Sequence, residues 1–434
     1  MDDPKKLYQQ KLMTPDQIAD QIQDGWRLCT DLAAAIPTAI VKALAKRLEA
    51  GGVKDVYLDT SLDIGQYSCF TDEVLKNLTP VTWFSGKELA NEVNRGQADA
   101  LPCYYRDMPQ LHEKFFDTDA LIANVSPMDK HGYFSTGTSA SYSQVVADKA
   151  KHIYLEVNPG MPRVASGPMI HISQVTGVCE STEPMPILPK TKIDDVSKTI
   201  GGIMAEEVPN GATIQMGIGA VPEAFGLALL DKRDLGIHTE LFTDSMVEMI
   251  EKGAVTNMEK PMYRGRSVAT LAFGSQRVYD YMDDNPAFVM LPVSFVNDPA
   301  VIAQHPNFIS VNAALEVDFY GQVCAESLGT KHISGTGGQA DYVRGATQSK
   351  GGKSFIAFPS TAAHGKVSRI KSTLSPGAIV STHKNDVDNI VTEYGIAPLR
   401  GRTLSQRVKN LIAIAHPDFR DQLRFEAKKE NILI

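Results

Sequence analysis

The sequence predicts an α/β fold made of two related open α/β domains, and two observations carry that prediction. Apolar residues alternate between helical and strand spacing along the whole chain, which is typical of strands and helices that follow one another. One series of these elements also occurs twice, as an internal duplication would produce. The 434 residues exceed the roughly 250–300 residues at which a single hydrophobic core stops growing, so two domains are expected.

The first copy of the series begins with a helix. Thr14 offers a capping hydroxyl, Pro15 suits the first helical position, and Gln17 completes a capping box. After this helix we predict a strand at residues 26–30, a loop of small residues that ends at Pro37, and an amphipathic helix.

The second copy repeats this order. Residues 212–216 form a predicted strand, a glycine-containing loop follows, and Pro222 opens the next helix, as Pro37 does in the first copy. Each copy also contains a short Asp-x-x-Gly segment. Asp318, which follows a predicted strand at residues 309–317, is separated from Asp129 by nearly the same length of chain as Pro222 is from Pro37.

The proline-rich segment 184–189 separates the two copies. Proline-rich segments are common where few contacts cross between domains. We therefore predict an N-terminal α/β domain at residues 1–186 and a C-terminal α/β domain at residues 190–434.

Composition excludes several classes of protein. The net charge of -8 and the pI near 5.7 argue against nucleic acid as the main partner, because binding to phosphate backbones needs a broad basic face. No stretch approaches the roughly 18 uninterrupted apolar residues of a membrane helix, so no membrane association and a cytoplasmic location are expected. The five cysteines lack a CxxC pair and the ten histidines lack ligand spacing, so we predict no metal and no redox cofactor.

Two glycine-containing segments could bind an anion through backbone N–H groups. The first, residues 217–221, lies between a predicted strand and helix, where the helix N-terminus favours a phosphate or an oxyanion. It fails the dinucleotide fingerprint because Pro222 occupies the third glycine position. The second, residues 334–341, could form an anion nest. Read alone, the first segment could equally be a tight turn without a ligand. The second is the stronger signal, because predicted strands flank it, and its alternative is a surface loop.

A basic segment follows the second glycine cluster. Between Asp341 and Asp386 there is no acidic residue, and the interval could hold the phosphates of a polyanionic ligand or could be a solvated face. Its cations are Arg344, Lys350, Lys353, Lys366, Arg369, Lys371 and Lys384.

Glu240 follows a predicted strand, where a side chain projects into the ligand crevice of an open α/β sheet. Alignment of the two copies places Val56 opposite Glu240, so only the second copy carries a carboxylate here. Taken alone, Glu240 could equally be an ordinary surface acid.

Taken together, these segments resemble the acetyl-CoA hydrolase and CoA-transferase family, and most closely its 4-hydroxybutyrate and butyryl-CoA:acetate CoA-transferase branch. The resemblance covers essentially the whole chain. The matching segments are residues 125–132, 156–158, 161–163, 170–173, 215–222, 236–244, 311–314, 318–322, 334–341, 392–395 and 413–419.

The resemblance implies a CoA-transferase-type fold and a ping-pong reaction in which Glu240 becomes a glutamyl-CoA thioester. Asn312 would orient the glutamate or the thioester carbonyl, and backbone amides would stabilise the oxyanion. Because transfer between carboxylates needs no proton shuttle, His131 and His171 are assigned structural or substrate-orienting roles. The residues implied to bind coenzyme A, as the acyl-CoA substrate, are Gly217, Ile218, Gly219, Ala220, Val221, Gly335, Gly337 and Gly338.

Three alternatives remain at this point. A hydrolase on the same scaffold would resolve the glutamyl intermediate with water, and a non-catalytic acyl-CoA-binding protein would keep only the fold. An NAD-dependent oxidoreductase is disfavoured by Pro222. The expected partners are an acyl-CoA, short-chain acids such as acetate, butyrate or 4-hydroxybutyrate, and further copies of the chain in a homodimer or larger homo-oligomer.

Overall fold

The structure, a computed structural model, describes residues 3–433 and divides into two compact units. The first contains residues up to Pro189 together with Ala269–Phe295 and His332–Gly335. The second contains Lys190–Val268, Val296–Lys331 and the residues from Thr336 onward. Segments 269–295 and 332–335, which lie in the predicted C-terminal domain, are therefore part of the first unit.

The first unit is built on a parallel sheet of seven strands. In spatial order these are Asp99–Ala100, Leu78–Thr82, Val56–Ser61, Arg27–Leu32, Ala120–Val125, His152–Val157 and Gly177–Glu180. Tyr133–Ser135 and Met169–His171 form a small antiparallel pair. Two further strands are Ser267–Ala272, most of which lies in this unit, and Phe288–Met290.

The first unit also contains helices, and some of them, such as Thr38–Glu49, contribute apolar residues to a core shared with the strands. The α-helices are Pro4–Lys11, Pro15–Gln21, Thr38–Glu49, Asp72–Leu75, Lys87–Arg95, Met108–Phe115, Ser143–Lys149 and Gln276–Met282, with 3₁₀ turns at Ala33–Ala35 and Tyr105–Asp107. Helix Thr38–Glu49 has no cap from its own N-cap residue. Glu156 instead accepts hydrogen bonds from the N–H groups of Ala39 (2.8 Å) and Ile40 (3.1 Å). A buried carboxylate therefore provides the acceptor for backbone N–H groups that the first turn of the helix leaves without one.

The second unit contains five parallel strands and one antiparallel edge strand. Their spatial order is Gly236–Phe242, Thr213–Met216, Ile309–Asn312, Lys353–Ala357, Asn389–Thr392 and Gly395–Pro398. Shorter strands are Glu316–Asp318, Val323–Cys324, Ser327–Leu328, Thr361–Ala362, Val367–Ser368 and Ile370–Lys371, and the strand Lys331–His332 begins in this unit and ends in the first. The α-helices are Asp195–Glu206, Ala220–Ala228, Asp244–Glu251, Pro299–Ile302, Gln339–Gln348, Leu404–Ile414 and Pro417–Lys429, and the short helix Val293–Val296 ends in this unit.

The predicted fold class is confirmed, because both units are α/β with parallel sheets and the repeated elements occupy equivalent positions. In each sheet the first strand of the series, Arg27–Leu32 or Thr213–Met216, lies between the second strand of its copy and a later strand. The capping box at Thr14 is also confirmed, at the start of Pro15–Gln21. Among the described residues, no helix is long and apolar enough to cross a membrane.

Two details of the sequence-based prediction are wrong. The strand predicted at residues 309–317 is two strands, with a break at residues 313–315. The predicted counterpart of Glu240 was Val56, but Val56 opens its strand, whereas Glu240 is the fifth residue of Gly236–Phe242. The helix before this strand has 12 residues in the first copy and 9 in the second. An alignment that keeps the same residue offset throughout therefore pairs the wrong positions of the two strands.

A tight helix crossing positions the glycine loop at residues 217–219. Helix Asp195–Glu206 contacts helix Ala220–Ala228 through Gly201, where an added Cβ would lie 2.7 Å from the backbone of Ala224 and Phe225. The next residue, Gly202, has nothing within 4 Å of the same position. This adjacent pair separates the effect of packing from that of helix propensity.

We predict that Gly201→Ala lowers the free energy of unfolding by about 1–3 kcal/mol, because the helix backbones must separate. Gly202→Ala should raise it by about 0.5–1 kcal/mol, because alanine loses less conformational entropy in a helix. Chemical denaturation of both variants measures the difference. Equal effects of the two substitutions would contradict the close crossing at Gly201.

Candidate active site

Three adjacent strands bring sequence-predicted residues to one edge of the sheet in the second unit. Ile214 pairs with both Ile237 and Ile309. Extending this register three residues toward the carboxyl ends brings Glu240, Gly217 and Asn312 level with one another. This is the edge at which ligands bind in open α/β sheets.

Glu240 is half-buried and has one defined polar partner. The side-chain amide of Asn297 donates a hydrogen bond from Nδ2 to Glu240 Oε2 at 2.6 Å. Burial raises the pKa of the Glu240 carboxyl to about 7, and the Asn297 hydrogen bond opposes that rise. Near neutral pH the carboxyl is therefore poised between its two protonation states.

Gly338 provides the space that the Glu240 carboxylate occupies. A Cβ at residue 338 would overlap Glu240 Oε2 and Asn297 Nδ2, well inside van der Waals contact. Gly338 immediately precedes helix Gln339–Gln348. The glycine is required because any side chain there would displace the carboxylate or its amide partner.

The loop at residues 217–221 connects the neighbouring strand to helix Ala220–Ala228. Gly219 is the N-cap of this helix and has a φ of 117°, a region that favours glycine, and no side chain caps the first turn. The N–H groups of Ala220 and Val221 belong to that first turn, which can hold a negatively charged oxygen. Ile218 is among the exposed large apolar residues.

Asn312 is two strands away from Glu240, a spacing of about 10 Å between backbones, and it donates to a different residue. Its Nδ2 lies 3.4 Å from Gln215 Oε1. The residues that follow Asn312, between two strands, are held by a hydrogen bond, which Gln339 Nε2 donates to Ala313 O at 2.6 Å. This bond ties the end of that strand to the residue after Gly338.

The second glycine cluster is divided between the two units. Gly335 belongs to the first unit, where an added Cβ would lie 2.6 Å from Trp83 O. Gly337 and Gly338 belong to the second. Of the two, Gly338 contacts Glu240 directly. Gly217 and Asn312 lie level with Glu240 at the ends of adjacent strands.

Sequence reasoning missed Asn297, the residue that donates to Glu240. Asn297 is completely buried, and its Oδ1 has no hydrogen-bond partner among residues 3–433. It precedes Asp298, whose side chain accepts from Ala300 N at 2.9 Å at the start of helix Pro299–Ile302. The Asn-Asp-Pro sequence therefore indicates only a helix start, and Asn297 is too far from Glu240 along the chain for any periodic signal to connect them.

The basic segment is largely engaged in internal contacts. Arg344 pairs with Asp386 at 3.0 Å, Lys353 with Glu207 at 2.6 Å, and Lys371 with Glu316, and Arg369 donates to Ala314 O. Lys384 lies over the ring of Tyr320. In the part of the chain that the structure describes, no ion pair involves Lys350 or Lys366.

The contacts of His171 are with residues near it in the first unit. Its Nδ1 lies 2.7 Å from Ser173 Oγ, and its ring packs on Tyr133. No group of three or more His, Cys, Asp or Glu side chains suited to a metal ion occurs within residues 3–433.

Relatives with assigned activities match nearly the whole chain. A succinyl-CoA:cyclohexane-1-carboxylate CoA transferase of Geobacter metallireducens is 43% identical over 98% of this chain and 97% of its own length. A 4-hydroxybutyrate coenzyme A transferase of Clostridium kluyveri is 40% identical over 98% of this chain and 99% of its own. The crystal structure of a 4-hydroxybutyrate CoA-transferase from Porphyromonas gingivalis has a TM-score of 0.81 and 34% identity, with 98% and 99% of the two chains covered.

Two family domains match in the order expected from the fold. Residues 1–189 match the acetyl-CoA hydrolase/transferase N-terminal domain, and residues 274–427 match the C-terminal domain of the same family. The chain therefore belongs to the acetyl-CoA hydrolase/transferase family.

Proposed function

We propose that this protein is a CoA-transferase that moves CoA from a short-chain acyl-CoA to a free carboxylate, and that Glu240 carries the covalent intermediate. The observation that carries the proposal is the placement of the Glu240 carboxylate at the carboxyl edge of the sheet, held by Asn297 in the space left by Gly338. The named transferases among its relatives support the reaction type.

The reaction needs a carboxylate that is both a nucleophile and a leaving group. An oxygen of Glu240 attacks the thioester carbonyl, so a C–O bond forms, the C–S bond breaks, and CoA leaves as a thiolate. The thiolate then attacks the glutamyl carbonyl of the mixed anhydride, which releases the first acid and leaves a glutamyl-CoA thioester. An incoming carboxylate reverses these steps, and no proton is gained or lost.

Each addition step places negative charge on a carbonyl oxygen, and backbone amides are suited to receive it. We propose that the N–H of Val221, in the uncapped first turn of Ala220–Ala228, and those of Gly337 and Gly338 serve this purpose. Because the amide of Asn297 already donates to Glu240 Oε2, the opposite carboxylate oxygen, Oε1, is the one we propose for attack.

The proposed acid substrates form a class rather than a single compound. The two curated relatives are named for a hydroxylated four-carbon acid and for a cyclic acid, so family membership fixes the reaction type more closely than the acid. For this chain we propose short-chain acids such as acetate, butyrate or 4-hydroxybutyrate. Asn312 stays predicted to orient Glu240 or the thioester carbonyl. The two domain boundaries, the cytoplasmic location and assembly into a homodimer or larger oligomer also stay predictions.

We predict that the protein incubated with butyryl-CoA and acetate forms acetyl-CoA, and that initial rates at varied concentrations of both substrates follow a ping-pong pattern. Glu240→Gln, which is similar in size but cannot form the anhydride, should lower kcat by about 10³-fold or more. Liquid chromatography of the acyl-CoA species measures both results.

The same assay separates the rival functions. Sustained CoA release without any acceptor acid would contradict the transferase and favour a hydrolase. Binding of butyryl-CoA without turnover would favour a non-catalytic acyl-CoA-binding protein.

The raised pKa of Glu240 predicts how activity depends on pH. Only the deprotonated carboxylate attacks, and burial raises its pKa to about 7. The value of kcat/KM should therefore rise with pH below about 7, by about tenfold per pH unit at the lowest values, and reach a plateau above it. A profile that is flat between pH 5.5 and 8 would contradict this assignment.

A second buried group needs to be distinguished in that pH range. Burial lowers the pKa of Lys260 to about 7. The variant Asn297→Ala tells the two groups apart, because the Asn297 amide stabilises the Glu240 carboxylate. Its loss should move the midpoint of the pH profile upward, whereas a midpoint that is unchanged in Asn297→Ala would assign the titration to another group.

A further inference from the structure

We propose that the backbone carbonyl of Val296 is the junction that fixes the geometry at Glu240, and that His238 and Tyr342 are positioning residues that act through it. This inference rests on the proposed function, because it concerns how Asn297 is held against the reacting carboxylate. The matching segment 236–244 contains His238, but the sequence analysis assigned a role in the site to neither His238 nor Tyr342.

Two side chains converge on one oxygen atom. His238 Nε2 lies 2.8 Å from Val296 O, and the hydroxyl of Tyr342 donates to the same oxygen at 3.4 Å. A carbonyl oxygen can accept two hydrogen bonds through its two lone pairs. His238, Tyr342 and Val296 are all completely buried, so water does not compete for this oxygen.

Each partner comes from an element that carries part of the site. His238 lies two residues before Glu240 on strand Gly236–Phe242, so the two side chains project from the same face of the sheet. Tyr342 lies in the first turn of helix Gln339–Gln348, and its N–H donates to Gly338 O at 3.1 Å. Val296 directly precedes Asn297. One carbonyl therefore connects the strand of Glu240, the loop of Gly338 and the chain segment of Asn297.

The environment of His238 keeps the ring neutral. Burial lowers its pKa well below the usual value, and the neighbouring His305 and Lys260 lower it further. The His305 ring lies 4.8 Å from that of His238, and Lys260 Nζ donates to Ile237 O and Arg266 O, at 2.7 Å each. Because Val296 O can only accept, Nε2 must carry a hydrogen, and His238 serves as a fixed donor at all pH values at which the protein is assayed.

This arrangement has a specific consequence for the chemistry. If Val296 O loses a donor, the segment 296–298 can move, and the 2.6 Å hydrogen bond from Asn297 to Glu240 weakens. A weaker bond leaves the Glu240 carboxylate less stabilised, so its pKa rises and its orientation is less defined. Loss of protein stability alone would change neither property.

The test compares Tyr342→Phe and His238→Leu with the wild type, with thermal stability recorded in parallel. Each variant removes one donor to Val296 O. We expect kcat to fall about 10-fold or more, the KM for butyryl-CoA to stay within about 2-fold, and the midpoint of the pH profile to move upward. His238→Gln, which can place an amide N–H near the position of Nε2, should recover most of the lost activity.

The chain offers a matched control in Tyr279→Phe. Tyr279 is also buried, and its hydroxyl donates to a backbone carbonyl, that of Pro186, at 2.5 Å in the first unit. This variant should lose comparable stability and keep the wild-type kcat and pH midpoint. A kcat and a midpoint in Tyr342→Phe and His238→Leu that match the wild type would overturn the inference, as would an equal shift in Tyr279→Phe.

A readout that needs no turnover keeps this inference separate from the proposed function. The pKa of Glu240 can be followed by NMR of protein labelled with ¹³C at the glutamate side-chain carboxyls, with Glu240→Gln to assign the signal. The inference predicts an upward shift in Tyr342→Phe, and an unchanged value overturns it. Failure of the proposed function would instead appear as a wild-type protein that transfers no CoA.

Discussion

The close approach of a carboxylate to a glycine is the constraint on which the rest of this site depends. Glu240 Oε2 and Asn297 Nδ2 occupy the space that a side chain at residue 338 would fill. Strand Gly236–Phe242 and helix Gln339–Gln348 must therefore meet with a fixed separation. That requirement accounts for buried polar contacts, such as those at Val296 O, that hydrophobic packing alone would not require.

The same constraint sets the electrostatics. Removing a carboxylate from water raises its pKa, and a single neutral amide compensates only in part, so the pKa of Glu240 is about 7 rather than far below neutrality. A full ion pair would hold the carboxylate charged but would also weaken it as a nucleophile. In the structure, Glu240 instead accepts a hydrogen bond from the neutral amide of Asn297.

How much could be predicted from sequence differs between fold and site. The duplicated α/β architecture followed from local patterns, because caps such as Thr14 and strand periodicity depend on neighbouring residues. Glu240 and Gly338 were proposed from matching motifs, and the structure brings the two residues into contact. Asn297 was not proposed, because its role arises from tertiary contact between segments that are far apart along the chain. The misplaced counterpart of Glu240 shows the same limit, since strand register is set by pairing across the sheet.

Trapping the covalent intermediate tests the central claim, that Glu240 accepts CoA, most directly. Wild type and Glu240→Ala are incubated with butyryl-CoA, treated with borohydride, digested and analysed by mass spectrometry. The account predicts a small mass loss, from reduction of the glutamyl-CoA thioester to an alcohol, that is confined to the wild-type peptide carrying Glu240. Turnover of butyryl-CoA by a wild-type protein that shows no such change, or the change on another peptide, would contradict it.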